Sequence, residues 1–150
     1  MKIAVDFDGT CVDHQFPAVG PDVPGAVECL QNLDADGHQI FLYTMRSGEF
    51  LEMAVAWFRK HDIYLSGINS DPGQTGWTDS PKCYAEIYID DAAFGAPLIE
   101  VDGFERKCLD WGKVWYRICG TQRQGTKTIL SVEEANEKLS PGMVFVSSGA

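Results

Sequence analysis

The acidic residues that follow short apolar runs are the part of this sequence best suited to chemistry. Asp6 comes directly after apolar residues 3–5, and Asp8 stands two residues further on; Asp90 and Asp91 follow Ile87–Ile89. Magnesium prefers hard oxygen ligands and usually takes one or two carboxylates, keeping waters and substrate oxygens in its other positions. A cluster of carboxylates also needs a cation to offset its repulsion. The two groups of aspartates therefore predict a magnesium site, provided that they meet in the fold.

Phosphate ester hydrolysis is a reaction that such a site suits. The phosphoryl group is an anion, so a protein promotes its transfer by positioning the reactants and by directing positive charge at the phosphoryl oxygens. One carboxylate can act as the nucleophile while another moves a proton.

The predicted secondary structure brings these aspartates to one edge of a sheet. Strands are predicted at 3–5, 40–43, 63–65 and 87–89, with helices starting at Pro24 and covering 48–61. Strands that alternate with helices indicate a parallel sheet, and ligands of such sheets bind outside the carboxyl ends of the strands. We expect an α/β fold, a Rossmann-like three-layer α/β/α sandwich with a mainly parallel sheet.

Four motifs in a fixed order resemble those of the haloacid dehalogenase superfamily of phosphotransferases. They are the segment Asp6-Phe7-Asp8-Gly9-Thr10 after a strand, then Thr44, then Lys82, then Asp90-Asp91 after a later strand. The resemblance covers about residues 1–95. It implies a phosphomonoesterase that forms an aspartyl-phosphate.

The resemblance implies a role for each motif residue. Asp6 would be the nucleophile, and Asp8 would protonate the leaving group and then activate water. Thr44 would hydrogen-bond a phosphoryl oxygen, and Lys82 would neutralise charge beside it. Magnesium would be held by Asp6, the backbone carbonyl of Asp8, Asp90 and Asp91, with the direct ligand of the last two left open.

The spacing is similar to that of small capless members of the superfamily from bacteria and phages, because too few residues separate Gly9 from Pro24 for a cap domain. Gly9, His14 and Arg46 are further candidates for substrate contacts. For Arg46 a surface salt bridge is the alternative, and for His14 a solvent-exposed loop position. The subgroup shares Asp13-His14 with Phe16-Pro17, Arg46-x-Gly48-Glu49, and Asp110-Trp111-Gly112.

Composition narrows the partners and the compartment. The chain has 150 residues and a formal charge of −10, which disfavours non-specific binding to nucleic acid. No stretch is apolar and long enough to cross a membrane, and no signal peptide is visible, so we expect a cytoplasmic protein. Five scattered cysteines argue against a disulfide framework or a structural zinc site. The expected partner is a phosphorylated small molecule, nucleotide or phosphoprotein; the oligomeric state stays open.

Three alternatives compete with the hydrolase. A phospho-accepting receiver domain also uses acids, a threonine and a lysine, but the third strand has no obvious acceptor aspartate at its end. A metal-dependent nuclease is disfavoured by the acidic charge. A relative that binds phospholigands without turnover is the third, although no expected catalytic position is missing.

The expected organisation is a hydrolase domain over residues 1–118 and a C-terminal extension over 119–150 that packs on the same domain. Trp111 to Ile118 is predicted to be helical. Within the extension, a helix at 132–139 with Ser131 as its N-cap and a strand at 143–146 are predicted. The role of this extension stays open.

Overall fold

A four-stranded parallel sheet forms the centre of the protein. The structure, a computed structural model, describes residues 1–122. The strands are β1 (Lys2–Val5), β2 (Gln39–Leu42), β3 (Leu65–Ile68) and β4 (Ile87–Ile89), in the spatial order β3-β2-β1-β4. All three pairings are parallel. The predicted α/β class and mainly parallel sheet are confirmed.

The helices on one face of the sheet follow from the apolar patterns of the sequence. Helix α1 (Ala26–Ala35) connects β1 to β2, and helix α2 (Gly48–Lys60) connects β2 to β3. Right-handed crossovers that step in the same direction place both helices on the same face. Their buried side chains, among them Leu30 and Phe58, form one core with Val5 and the other strand residues on that face.

The opposite face is covered by the irregular segment 69–86, which carries the chain from β3 back across the sheet to β4. Lys2, whose side chain alternates with the core residue Ile3, forms an ion pair with Asp71 on this segment. A 3₁₀ helix at Pro72–Gln74 is its only helical turn among the described residues. The buried side chain of Gln74 holds the segment together by donating to two carbonyls and accepting from one amide, those of Ser80, Lys82 and Tyr84 respectively.

The third strand lies later than the sequence predicts, at Leu65–Ile68 instead of 63–65. Asp62 has a positive φ of 54°, and the backbone N–H of Ile63 donates to the carbonyl of Phe58. Ile63 is buried in the core at the end of α2, where an apolar residue commonly packs after the last turn. Its apolar character therefore belongs to the end of the helix and not to a strand.

A short antiparallel pair and a third helix complete the described chain. Strands β5 (Leu98–Ile99) and β6 (Cys108–Leu109) are two residues long and were not predicted. Helix α3 (Trp111–Gln122) confirms the predicted helix and continues past residue 118. The predicted helix at 132–139 and strand at 143–146 lie outside the described residues. Within residues 1–122, no helix combines the length and the apolar character needed to span a bilayer.

Candidate active site

An open cavity of about 430 Å³ lies at the carboxyl ends of β1, β2 and β4. The chain leaves β1 toward β2 on one side, whereas β4 pairs with β1 on the other side. A crevice at such a switch point is where open α/β sheets bind their ligands. The lining residues are Asp6, Asp8, His14, Phe16, Thr44, Met45, Arg46, Asp90, Asp91, Ala92 and Arg106.

Three of the predicted acids converge in this cavity. Ligand oxygens of Asp6, Asp90 and Asp91 all lie within 4.8 Å of one another. Opposite ligands of an octahedral magnesium ion are about 4.2 Å apart, since each lies about 2.1 Å from the metal. The limit of 4.8 Å is slightly above that distance, so a small shift of the side chains would let a small divalent cation bind between the three carboxylates.

Gly9 makes this close arrangement possible. Its φ is +82°, a conformation that favours glycine, and a Cβ placed on it would come within 2.5 Å of Asp91 Oδ2. The turn after β1 therefore brings its backbone directly against the carboxylate from β4. Gly9 was predicted to contact substrate, and the structure gives it this structural contact with Asp91.

Thr10 orients two of the carboxylates, a role that sequence reasoning missed. Its buried hydroxyl accepts from the backbone N–H of Asp91 at 3.0 Å and lies 3.4 Å from oxygens of both Asp6 and Asp91. The indole N–H of Trp111 donates to the Thr10 carbonyl at 2.7 Å, which ties helix α3 to the turn. The available signal was the threonine four residues after Asp6, together with Trp111 in the shared segment 110–112.

The electrostatics of the cluster fit a divalent cation. The pKa of Asp6 is raised to about 7, mainly by burial and also by the charges of Asp90, Asp91 and Asp8, against a backbone hydrogen bond at Phe7 that lowers it. Burial and the charge of Asp90 also raise the pKa of Asp91. Without a cation, the cluster thus favours holding a proton near neutral pH. Hard oxygen donors that repel one another in this way match the preference of Mg²⁺.

Asp8 does not join this cluster through its side chain. Its two oxygens each accept a hydrogen bond of 2.7 Å from the guanidinium of Arg46, one from Nε and one from Nη2. Such bidentate pairs are among the strongest charge-assisted contacts in proteins. The expected magnesium contact through the backbone carbonyl of Asp8 stays a prediction.

Arg46 lines the cavity, and its guanidinium is bound to groups of the protein, while its predicted contact with substrate stays a prediction. Besides pairing with Asp8, its guanidinium donates to the carbonyls of Pro17 and Ala18 in the loop that precedes α1. It lies between the rings of Phe7 and Phe16, 5.1 and 5.2 Å from their centroids. Only 3% of the residue is exposed, so the salt bridge that was the alternative is formed in the interior and not on the surface. Arg46 thereby joins Asp8 to this loop.

Thr44 lies where the motif pattern predicts, at the end of β2 and in the wall of the cavity. Its backbone N–H donates to the side chain of Asn69, and its hydroxyl accepts from the backbone N–H of Arg46 at 3.2 Å. Because the hydroxyl oxygen is an acceptor in that contact, its proton is free to donate to a ligand in the cavity.

His14 also lines the cavity, as the sequence suggested. Its charge, when protonated, lowers the pKa of Asp91, which places the imidazole near the carboxylate cluster. The side chain is partly buried, so the exposed loop position that was its alternative does not describe it fully.

Lys82 is the one predicted catalytic residue that the structure leaves outside the cavity. Its side chain is exposed and its Nζ lies 5.1 Å from the ring centroid of Tyr88, on the face covered by segment 69–86. Its predicted role beside the phosphate therefore has no contact in this structure to support it.

Arg106 and Met45 line the cavity without having been predicted. Arg106 belongs to the turn between the two-residue strands β5 and β6, where no periodic pattern marks its position. Met45 lies between the candidate site residues Thr44 and Arg46, and it is 97% exposed.

Comparison with known proteins identifies one similar solved structure. A conserved protein from Bacteroides thetaiotaomicron is 32% identical to this chain, with a TM-score of 0.67 over 83% of this chain and 94% of the other. The present chain belongs to the same family. The similarity extends over most of the described residues and supports the α/β fold of this chain. No protein-family model and no curated protein matches the chain.

Proposed function

We propose that this protein is a magnesium-dependent phosphomonoesterase of the haloacid dehalogenase type, with Asp6 as its nucleophile. The convergence of Asp6, Asp90 and Asp91 within 4.8 Å at the carboxyl ends of β1 and β4 carries the proposal. The order of the four sequence motifs supports it. The capless form is supported by the loop between Thr10 and Ala26, which contains no helix or sheet strand.

The reaction would proceed in two displacements. A carboxylate oxygen of Asp6 attacks phosphorus, the bond to the leaving oxygen breaks, and Asp8 supplies the proton that this oxygen takes. Asp8 then accepts a proton from water as the water attacks the aspartyl-phosphate, which releases inorganic phosphate and restores Asp6. Thr44 would donate its hydroxyl proton to a phosphoryl oxygen, and Arg46 would orient Asp8.

Magnesium would be held by Asp6, Asp90 and Asp91. When bound, it would supply positive charge that offsets the phosphoryl oxygens and keeps Asp6 ionised. Thr10 and Gly9 support this arrangement by orienting Asp91 and by leaving it room.

The test is hydrolysis of p-nitrophenyl phosphate with magnesium and after chelation. Asp6→Asn and Asp8→Asn should each abolish turnover, whereas Asp102→Asn, at an exposed aspartate outside the cavity, should not change it. Equal activity in the wild type and the two active-site variants would refute the assignment.

A second candidate is a phospho-accepting protein with slow turnover, and one observation favours it. Both oxygens of Asp8 are bound to Arg46, so Asp8 has to leave this pair before it can activate water. Single-turnover measurements of the lifetime of the aspartyl-phosphate separate the two candidates. A lifetime of seconds or less that lengthens in Asp8→Asn supports the hydrolase. A lifetime of many minutes in the wild type, unchanged in the variant, supports the acceptor.

A further inference from the structure

Among the described residues, the cavity is lined by a cationic side chain that does not pair with the carboxylates. Arg106 lines the cavity and is exposed. Within residues 1–122 its side chain makes no hydrogen bond or ion pair, although the neighbouring Lys107 pairs with Glu100. A guanidinium without a partner in a cavity is available to bind an anionic group of a ligand.

The other basic side chains near the site are already committed or lie elsewhere. The guanidinium of Arg46 is bound to Asp8 and to two loop carbonyls. Lys82 lies over Tyr88 and does not line the cavity. His14 lines the cavity beside the carboxylate cluster. Among the described lining residues, Arg106 is therefore the permanently charged side chain that is available to a second negative charge on a substrate.

Two large apolar side chains border the same space. Phe16 is 52% exposed and Met45 is 97% exposed, and both line the cavity. The ring of Phe16 is fixed by its edge-on contact with Phe50, 5.3 Å between centroids. Exposed apolar surface that lines a cavity commonly marks a ligand site, and about 430 Å³ is within the usual range for a small-molecule pocket.

We propose that the substrate is a phosphomonoester whose leaving group carries a flat apolar part and a second anionic group. The apolar part would contact Phe16 and Met45, and the anion, a carboxylate or a second phosphate, would bind Arg106. This inference rests on the proposed phosphatase function and deepens it by naming the substrate class.

The experiment compares matched substrates in matched variants. Phenyl phosphates that carry a carboxylate in the meta or para position are compared with the corresponding carboxamides, which have the same shape without the charge. The value of kcat/KM for each is measured in the wild type, in Arg106→Met and in Lys107→Met. The ratio of charged to neutral substrate, compared between variants, cancels differences in leaving-group reactivity.

For at least one pair, the ratio of kcat/KM for the carboxylate to kcat/KM for the carboxamide should be about tenfold higher in the wild type than in Arg106→Met. A charge-assisted contact predicts a difference of this size. Lys107→Met should keep the wild-type ratio, and Arg106→Lys should keep part of it. Met45→Ala should lower kcat/KM for the aryl substrates relative to glycerol phosphate.

The inference is overturned if Arg106→Met has the same ratio of charged to neutral kcat/KM as the wild type for every pair. It is also overturned if the wild type and all variants hydrolyse charged and neutral substrates equally well. Failure of the proposed function looks different, because the wild type would then hydrolyse none of these phosphates, and the inference would fall with it. Thermal unfolding of each variant checks its fold, and the exposure of Arg106 predicts no change in Tm.

Discussion

Replacing Asp6 with asparagine should make the metal-free protein more stable while removing its activity. Burial among other acids raises the pKa of Asp6 from 3.8 to about 7. A carboxyl group whose pKa is raised in the folded state binds its proton more tightly there than in the unfolded chain. The free energy of unfolding therefore falls as the pH rises from about 4 to about 7, and it stays low above that range.

The expected size of the effect follows from the pKa values. Each pKa unit corresponds to about 1.4 kcal/mol, so ionised Asp6 costs roughly 4 kcal/mol at pH 8. At pH 5 the folded carboxyl is protonated and the unfolded one is ionised, which costs about 2 kcal/mol. Between pH 5 and pH 8, the wild type should thus lose roughly 2–3 kcal/mol that Asp6→Asn does not lose.

The assay is urea unfolding in a chelator at pH 5 and pH 8, with Asp102→Asn as the exposed control. Asp6→Asn should exceed the wild type at pH 8 by more than at pH 5, and Asp102→Asn should follow the wild type. Saturating magnesium should narrow the gap at pH 8, because a ligand at 100 times its Kd adds about 2.7 kcal/mol to the wild type. If Asp6→Asn has the same pH dependence as the wild type, the electrostatic argument for the cluster is refuted.

Three further predictions concern the residues that hold the site together. Arg46→Met should lower kcat on p-nitrophenyl phosphate on the order of 10²-fold because its carboxylate partner loses its orientation, with Arg46→Lys intermediate; unchanged kcat would contradict this role. Gly9→Ala should lower the free energy of unfolding by about 2 kcal/mol and weaken magnesium binding measured by calorimetry, because its Cβ would overlap Asp91. Magnesium affinity equal to that of the wild type would contradict this role of Gly9. Trp111→Phe should cost about 1–3 kcal/mol in denaturant unfolding because the buried carbonyl of Thr10 loses its donor, and wild-type stability would refute this.

The carboxylate cluster illustrates what strand patterns can predict. Asp6, Asp90 and Asp91 each follow an apolar run, and parallel strands align their carboxyl ends, so convergence at one edge could be expected from the sequence. That β4 pairs with β1 rather than with β3 could not be predicted from the order of the elements. This pairing is what brings the aspartates within reach of one ion.

The contacts of Arg46 and Lys82 depend on irregular segments, and the sequence of such segments has no hydrophobic periodicity from which their course could be predicted. Arg46 reaches Asp8 across 38 residues because the loop before α1 folds over its guanidinium, and only the three-dimensional path of that loop determines this. Lys82 lies in segment 69–86, whose course is set by individual side-chain hydrogen bonds. For the same reason Arg106, in the eight-residue connection between the two-residue strands β5 and β6, carries no signal in the sequence.

Segment 69–86 has a consequence for how the molecule opens. The helical face of the sheet is held by a continuous apolar core, whereas this segment is held largely by polar contacts, those of the Gln74 amide and the Lys2–Asp71 ion pair. Buried polar networks lose much of their stabilisation when one member is removed. Amide protons of this segment should therefore exchange with solvent through a local fluctuation, long before those of α1 and α2, which are released only when the whole sheet comes apart.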